Sequence, residues 1–177
     1  WDPSTNIFTD IFKSSIGRIN PELSDSDLNR LIDKISLTLE NEDLGKAFYE
    51  MLSSKTGLQL IDYENFNNND FNVVTELPCI KDDEEFRPDI TLLINGIPLV
   101  FIEVKKPNNL DGIQAEHKRI ERRFENKKFR KFINITQLMV FTNNMEYDDG
   151  SLVPLQGAFY SSTSYSKPAF NYFREEE

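Results

Sequence analysis

The segment from Asp89 to Lys105 constrains the fold of this chain more than any other. One apolar run leads from Asp89 to Asn95-Gly96, and a second leads from there to Glu103 and Lys105. Asn-Gly between two apolar runs is a strong signal for a β-hairpin turn. The segment is therefore predicted to be a hairpin that carries an acid at the start of one strand and Glu-x-Lys near the end of the other.

The register of this hairpin decides whether its two acids can meet. A strict two-residue turn at Asn95-Gly96 would place Asp89 opposite Ile102, so that its side chain would point away from that of Glu103, because cross-strand partners share a face. A three-residue loop with Gly96 in the left-handed conformation, or a β-bulge, shifts the pairing by one residue. We expect such a shift, with Asp89 opposite Glu103.

The residues at the open end of the hairpin suggest metal-assisted hydrolysis. An ionised side chain such as Glu103 is costly inside an apolar strand unless it is paired or bound to a metal. Two carboxylates and a lysine can together hold a divalent cation and position a water for phosphodiester hydrolysis. The expected Mg²⁺ ligands are Asp89, Glu103 and the backbone carbonyl of Val104. Lys105 is expected to orient or activate the attacking water.

A competing interpretation needs no metal. Asp89 could cap the entry to a strand while Glu103 and Lys105 form a surface charge pair, since Asp followed by Glu-x-Lys at loose spacing is common by chance.

Positive charge is concentrated directly after the candidate site. The chain has a net charge of −10, which by itself argues against a nucleic-acid partner. Residues 105–131, however, contain ten Lys or Arg and four Asp or Glu, a local net charge of +6. Such clustering is expected of a surface that contacts phosphates, although a solvated helix face is an alternative. The candidate DNA-backbone contacts are Lys106 and, on the polar side of a helix, Lys118, Arg119, Arg122 and Arg123.

The order of predicted elements indicates an α/β fold with a mixed sheet flanked by helices. Helices are predicted over residues 7–19, from a cap at Ser24 or Asp25 to residue 39, over 44–52 and from 110 to near 131. Strands are predicted over 71–80, in the hairpin, over 136–142 and, as an edge strand, over 158–166, with an acidic loop at 81–85. We expect one domain, with an N-terminal helical part at 1–60 and a core and tail at 61–177.

Composition excludes several other classes of protein. A lone cysteine, Cys79, rules out an internal disulfide framework and a cysteine-rich zinc site. There is no signal peptide and no apolar run of the roughly 18–20 residues that a membrane span needs, so we expect a cytoplasmic protein without a membrane partner. The phosphate-cradling Gly-x-x-x-x-Gly-Lys-Ser/Thr loop is missing, so the chain should not hydrolyse ATP by itself. Because it begins at Trp1, we expect a fragment of a larger protein.

The hairpin sequence has the pattern of the PD-(D/E)xK nucleases and closely resembles the N-terminal nuclease domain of the restriction (R) subunit of type I restriction enzymes. The resemblance lies in Asp89, the apolar strand, Asn-Gly-x-Pro-Leu, and Glu103-x-Lys105; residues 137–144 resemble the next core strand of that family. It implies a restriction-endonuclease-like fold, with Asp89, Glu103 and Lys105 as catalytic residues.

The same resemblance implies a Mg²⁺-dependent endonuclease in which Mn²⁺ can substitute. Such a nuclease cuts double-stranded DNA after ATP-driven translocation, with ATP bound by a motor domain outside this chain and with methylation and specificity subunits as partners. This chain departs from the family in lacking Gln-x-x-x-Tyr on the following helix, where Ile120 and Phe124 have the spacing. Two alternatives stay open: a catalytically degenerate docking module, and another PD-(D/E)xK nuclease such as a repair nuclease or resolvase.

Overall fold

The computed structural model describes residues 1–107, 112–143, 145, 158–162 and 169–172, and for residues 112–114, 117, 158–162 and 169–172 it describes the backbone. Five α-helices occur in this part of the chain: α1 (Thr9–Ile19), α2 (Asp25–Thr38), α3 (Lys46–Leu52), α4 (Gly112–Glu125) and α5 (Arg130–Ile135). Its strands are β1 (Phe71–Thr75), β2 (Cys79–Lys81), β3 (Glu84–Phe86), β4 (Ile90–Ile94), β5 (Ile97–Val104), β6 (Leu138–Thr142), β7 (Ala158–Ser162) and β8 (Ala169–Tyr172).

Six of these strands form one mixed sheet in the order β1-β4-β5-β6-β7-β8. The central pair, β5 and β6, is parallel, and the other neighbouring pairs are antiparallel. The connection between the two parallel strands contains α4 and α5, as a parallel crossover requires. The predicted α/β class, a mixed sheet flanked by helices, is confirmed, and it is compatible with a restriction-endonuclease-like fold.

The helices of the first 60 residues share a core with the sheet. Phe12 and Ile16 of α1 and Ile35 of α2 pack in one cluster with Ile97 and Leu99 of β5. Helix α2 begins at the predicted cap, because the Ser24 hydroxyl accepts a hydrogen bond from the Asp27 amide and the Asp27 carboxylate accepts one from the Ser24 amide. The division of the chain near residue 60 stays a prediction.

The turn of the hairpin is the point where α1 meets the sheet. Asn95 and Gly96 have φ values of 53° and 76°, as a two-residue turn of the Asn-Gly type needs. The amide of Phe8 donates to the Gly96 carbonyl at 2.9 Å. A Cβ at Gly96 would lie 2.7 Å from the Phe8 carbonyl oxygen and 2.8 Å from the Phe12 nitrogen, so glycine is required there for close approach as well as for conformation.

The prediction of one strand over residues 71–80 is wrong. Glu76 has a φ of 49°, which ends the extended conformation of β1, and its amide donates to the Asp89 carbonyl at 3.1 Å. The chain then leaves the main sheet and forms the β2–β3 hairpin, in which Cys79 lies opposite Phe86. The predicted acidic loop at 81–85 is therefore partly strand, with a turn at Asp82 and Asp83.

Two further boundaries differ from those predicted. The helix expected to continue to residue 131 ends at Glu125, where the Asn126 side chain accepts a hydrogen bond from the Lys128 amide and starts a short 3₁₀ turn before α5. Its predicted start at residue 110 lies outside the described residues. Strand β7 is not an edge strand, because β8 pairs with it; residues 163–166 of the predicted strand also lie outside the described part.

No described helix has the length and apolarity to cross a membrane.

Candidate active site

A β-bulge brings the two predicted acids to one face of the hairpin. Next to the turn, Ile94 lies opposite Ile97, as in a strict two-residue turn. The pairing then shifts by one residue between Leu93 and Leu92, and Leu99 is the extra residue in β5. Beyond the bulge Ile90 lies opposite Ile102, and the same register continued by one residue places Asp89 opposite Glu103. The predicted shift in register is confirmed.

Two hydrogen bonds hold Asp89 at the open end of the hairpin. Its carboxylate oxygen Oδ2 accepts a hydrogen bond of 2.7 Å from the Val104 amide, one residue beyond Glu103. Its backbone carbonyl accepts the amide of Glu76 from the end of β1. The carboxylate therefore stays at the rim of the site, partly exposed to solvent.

Glu103 is buried, and its surroundings raise the pKa of its carboxyl. The residue is 8% exposed, and its Oε1 lies 2.7 Å from the Lys105 ammonium. Burial raises the pKa of the Glu103 carboxyl, and the negative charges of Glu116 and Asp89 raise it further, while the hydrogen bond from Lys105 opposes them. Burial and the two neighbouring carboxylates therefore disfavour the ionised form of Glu103.

Lys105 bridges two carboxylates that come from different elements. Its ammonium lies 2.7 Å from Glu103 Oε1 and 3.1 Å from Glu116 Oε2. Burial lowers the pKa of Lys105, but the hydrogen bonds to Glu103 and Glu116 outweigh it and leave that pKa raised. Glu103 and Lys105 do pair, as the competing interpretation proposed, but the pair is largely buried, with side chains 10% and 22% exposed, and is not a surface contact.

Glu116 is the site residue that the sequence analysis missed. It lies on α4, is 1% exposed, and pairs with Arg119 at 2.6 Å and with Arg123 at 3.9 Å. A signal was present in the sequence, because Glu116 precedes the buried Ile120 by four residues and so shares the apolar face of the helix. A carboxylate on that face requires a cationic partner, and the structure supplies three.

The predicted DNA-backbone contacts fall into two groups. Lys106, Lys118, Arg119 and Arg122 are exposed. The predicted placement of Arg123 on the polar side is wrong, because its side chain is 15% exposed and its guanidinium lies 3.9 Å from the centroid of the Phe86 ring. Burial lowers the pKa of Arg123, and the Glu116 and Glu103 carboxylates oppose that shift. The β2–β3 hairpin, which carries Phe86, thus braces α4 against the site.

The donor set suits a hard divalent cation. Asp89 and Glu103 offer carboxylate oxygens on one face, and Mg²⁺ prefers such ligands together with water and carbonyl oxygens. The described residues contain no group of three or more His, Cys, Asp or Glu side chains that could hold a metal ion. A cation here would therefore be held by two carboxylates, with backbone carbonyl and water completing its shell. The burial of Glu103 fits this use, since a cation would offset its unbalanced charge.

Comparison with known proteins gives a consistent result. Residues 2–151 match the family model described as the type I restriction enzyme R protein N terminus. The chain is 30% identical over 159 residues to the MjaIXP endonuclease subunit of a type I restriction enzyme from Methanocaldococcus jannaschii, covering 79% of this chain and 15% of that relative. It is 27% identical over 176 residues to the type I restriction enzyme HindI endonuclease subunit of Haemophilus influenzae, covering 87% of this chain and 16% of the relative. The chain thus spans about one sixth of the length of these relatives.

Proposed function

The chain belongs to the family of type I restriction enzyme R protein N termini, and from this premise we propose that it is a Mg²⁺-dependent endonuclease domain that hydrolyses phosphodiester bonds of double-stranded DNA. One observation carries the proposal. The bulge at Leu99 turns Asp89 and Glu103 to the same face, beside Lys105. These three residue types are the ones that a metal-assisted phosphodiester hydrolase needs.

Asp89 and Glu103 would hold the Mg²⁺ through their carboxylates, with the Val104 carbonyl as a further ligand and Mn²⁺ as a substitute ion. When bound, such an ion supplies Lewis-acid polarisation of water and of the scissile phosphate. The hydrogen bond from the Val104 amide to Asp89 keeps one ligand carboxylate in place before the ion arrives. A preset ligand lowers the entropy lost on binding.

In this proposal Lys105 acts as a charged donor. Its two carboxylate partners favour the protonated form, so the ammonium would orient the attacking water and offset negative charge on the phosphate. Its burial between β5 and α4 holds the nitrogen in one position. This leaves water orientation, of the two roles predicted for Lys105, as the one that we propose.

Double-stranded DNA would lie along the exposed basic side chains Lys106, Lys118, Arg119 and Arg122. Contacts of this kind are made to phosphates and carry no sequence information, so cleavage by this domain would be non-specific. The negative charge on the remainder of the chain would repel DNA elsewhere and restrict it to this face. Arg123, which is mostly buried, would serve to hold Glu116 instead.

The names and lengths of the relatives support a proposal about the whole protein. Both relatives are named as endonuclease subunits of type I restriction enzymes and are several times longer than this chain. We propose that the domain works within a multi-subunit restriction complex in the cytoplasm, with methylation and specificity subunits. In that complex an ATP-driven motor in the rest of the subunit would translocate DNA before cleavage.

Calorimetric titration of Mn²⁺ tests the proposed site. The chain should bind Mn²⁺, and both Asp89→Ala and Glu103→Ala should abolish binding, because each removes one of the two carboxylate ligands. Asp33→Ala, an exposed acid on α2, is the matched control and should bind like the unaltered chain. No binding, or binding indifferent to both site substitutions, would refute the metal site and favour the docking-module alternative.

Substrate preference separates the remaining alternative. The restriction complex should cleave linear double-stranded DNA only with ATP present, and Lys105→Ala in the full subunit should abolish cleavage while leaving translocation intact. Preferential cleavage of branched DNA without ATP would instead indicate a resolvase or repair nuclease.

A further inference from the structure

Lys105 has two anionic partners, and they differ in how firmly they are held. Glu103 lies on β5 two residues before Lys105, which directly follows that strand, whereas Glu116 reaches Lys105 from α4. If Glu103 binds a cation, its carboxylate is shared between that cation and the ammonium. Two positive charges then compete for one carboxylate, and the hold of Glu103 on Lys105 weakens.

Glu116 is not among the proposed cation ligands, and it is held by contacts from several sides. Arg119 lies 2.6 Å from its Oε2, and Arg123 lies 3.9 Å from its Oε1. Arg123 is itself held against the ring of Phe86, and Ile120, one turn along α4, is fully buried. The Glu116 carboxylate therefore has one position, set by the packing of α4 on the sheet and on the β2–β3 hairpin.

One carboxylate oxygen of Glu116, Oε1, lacks a hydrogen-bond donor among the described residues. This oxygen is buried, whereas Oε2 receives both Lys105 and Arg119. A buried carboxylate oxygen without a donor is costly to keep, so charge attraction to Lys105, Arg119 and Arg123 must offset that cost. An apolar residue at this place in the helix would pack without the cost, which points to a role for the charge.

From these contacts we infer that Glu116 is a positioning residue for Lys105: it is the fixed counter-ion that keeps the ammonium in the site when Glu103 takes up a cation. The use of this contact in catalysis rests on the proposed function, but the contact between Glu116 and Lys105 exists without any cation. Glu116 acts through Lys105 and touches neither the cation nor the substrate.

Chemical labelling of Lys105 tests the anchoring without any metal. Acetylation with acetic anhydride, followed by peptide mass spectrometry, measures the reactivity of Lys105 relative to the exposed Lys34. In Glu116→Gln a neutral acceptor replaces the charged partner of Lys105, and loss of that charge should accelerate Lys105 labelling by roughly tenfold. Glu116→Asp, which keeps the charge on a shorter side chain, should restore part of the protection. Glu125→Gln, an exposed acid on the same helix, should change nothing.

Mn²⁺ calorimetry on a double-mutant cycle tests how Glu116 acts. In Glu116→Gln the ammonium keeps one charged partner, Glu103, so Mn²⁺ must compete with Lys105 for that carboxylate and should bind roughly tenfold more weakly. In the Lys105→Met background no ammonium competes, and adding Glu116→Gln should then change Mn²⁺ affinity by less than about twofold. Equal losses in both backgrounds would show that Glu116 acts directly on the cation, and would overturn the positioning role.

The two measurements separate this inference from the proposed function. Faster labelling of Lys105 in Glu116→Gln, together with no Mn²⁺ binding by the unaltered chain, would support the anchoring and refute the metal site. Unchanged labelling, together with Mn²⁺ binding that Asp89→Ala abolishes, would overturn the anchoring and leave the metal site intact. Thermal unfolding of each variant shows whether it is folded, and Glu116→Asp provides the comparison if Glu116→Gln is not.

Discussion

Replacing Asn95 tests how firmly the turn of the β4–β5 hairpin is held. The side chain is fully buried and makes three hydrogen bonds. Its Nδ2 donates to the Leu60 carbonyl at 2.8 Å and to Asn69 Oδ1 at 2.9 Å, and its Oδ1 accepts the Asp70 amide at 2.8 Å. Asn95 also has a φ of 53°, which asparagine tolerates better than most residues.

We expect Asn95→Ala to destabilise the chain by about 3–5 kcal/mol. Three lost hydrogen bonds contribute about 0.5–1.5 kcal/mol each, with a further penalty for the buried groups left unpaired. The left-handed backbone adds about 1 kcal/mol for alanine. In Asn95→Gly the hydrogen bonds are lost but the backbone is relaxed, so its destabilisation should be smaller by about 1 kcal/mol.

Urea denaturation of the three proteins measures these differences. The midpoints should fall in the order unaltered chain, Asn95→Gly, Asn95→Ala, with an unchanged dependence of the unfolding free energy on urea. A loss below about 1 kcal/mol for Asn95→Gly would refute the importance of the hydrogen bonds. Equal stability of the two variants would refute the backbone contribution. Because the turn sets the position of Asp89, we also expect weaker Mn²⁺ binding in both variants.

Three further outcomes follow from the structure. Gly96→Ala should cost more than about 2 kcal/mol in urea denaturation, since its Cβ would lie 2.7 Å from the backbone oxygen of Phe8 and its φ is 76°; a neutral effect would mean that α1 does not press on the turn. The pKa of Glu103 is raised in the folded state, so the contribution of this group to stability should fall as pH rises from about 4.5 through that raised pKa. The difference in unfolding free energy between the unaltered chain and Glu103→Gln, measured at several pH values, should therefore decrease with pH. An increase with pH would contradict the prediction. Arg122→Ala should weaken DNA binding and lower the slope of log K against log salt by about 1, whereas Lys34→Ala on α2 should change neither.

Much of the candidate site could be predicted from local sequence. The Asn95-Gly96 turn and the apolar runs around it predicted the hairpin, because turn chemistry and side-chain alternation act over a few residues. The same logic required a shift in register for Asp89 to meet Glu103, but left a longer loop and a bulge as equal solutions. The structure contains the bulge at Leu99, whose side chain lies in the buried cluster that the helices share with the sheet.

Errors arose where a single backbone angle or a distant contact decided the outcome. The predicted strand over residues 71–80 failed at Glu76, whose positive φ no apolar pattern announces. Arg123 was predicted on the polar side of its helix, together with Lys118, Arg119 and Arg122. The structure instead places it over Phe86, at the end of the β2–β3 hairpin, where a strand over 71–80 and an acidic loop over 81–85 were predicted.

By itself, the sequence determined the α/β class, the hairpin, and the pair Asp89 and Glu103 with Lys105 beside them. These depend on periodicity and turn chemistry, which are short-range properties of the chain. Only the tertiary structure decided that Glu116 joins the site, since burying a carboxylate is favourable only where cations from other positions converge on it. Those cations are Lys105, which directly follows β5, and Arg119 and Arg123 of α4 itself, and only the packing of α4 against the sheet brings Lys105 to Glu116.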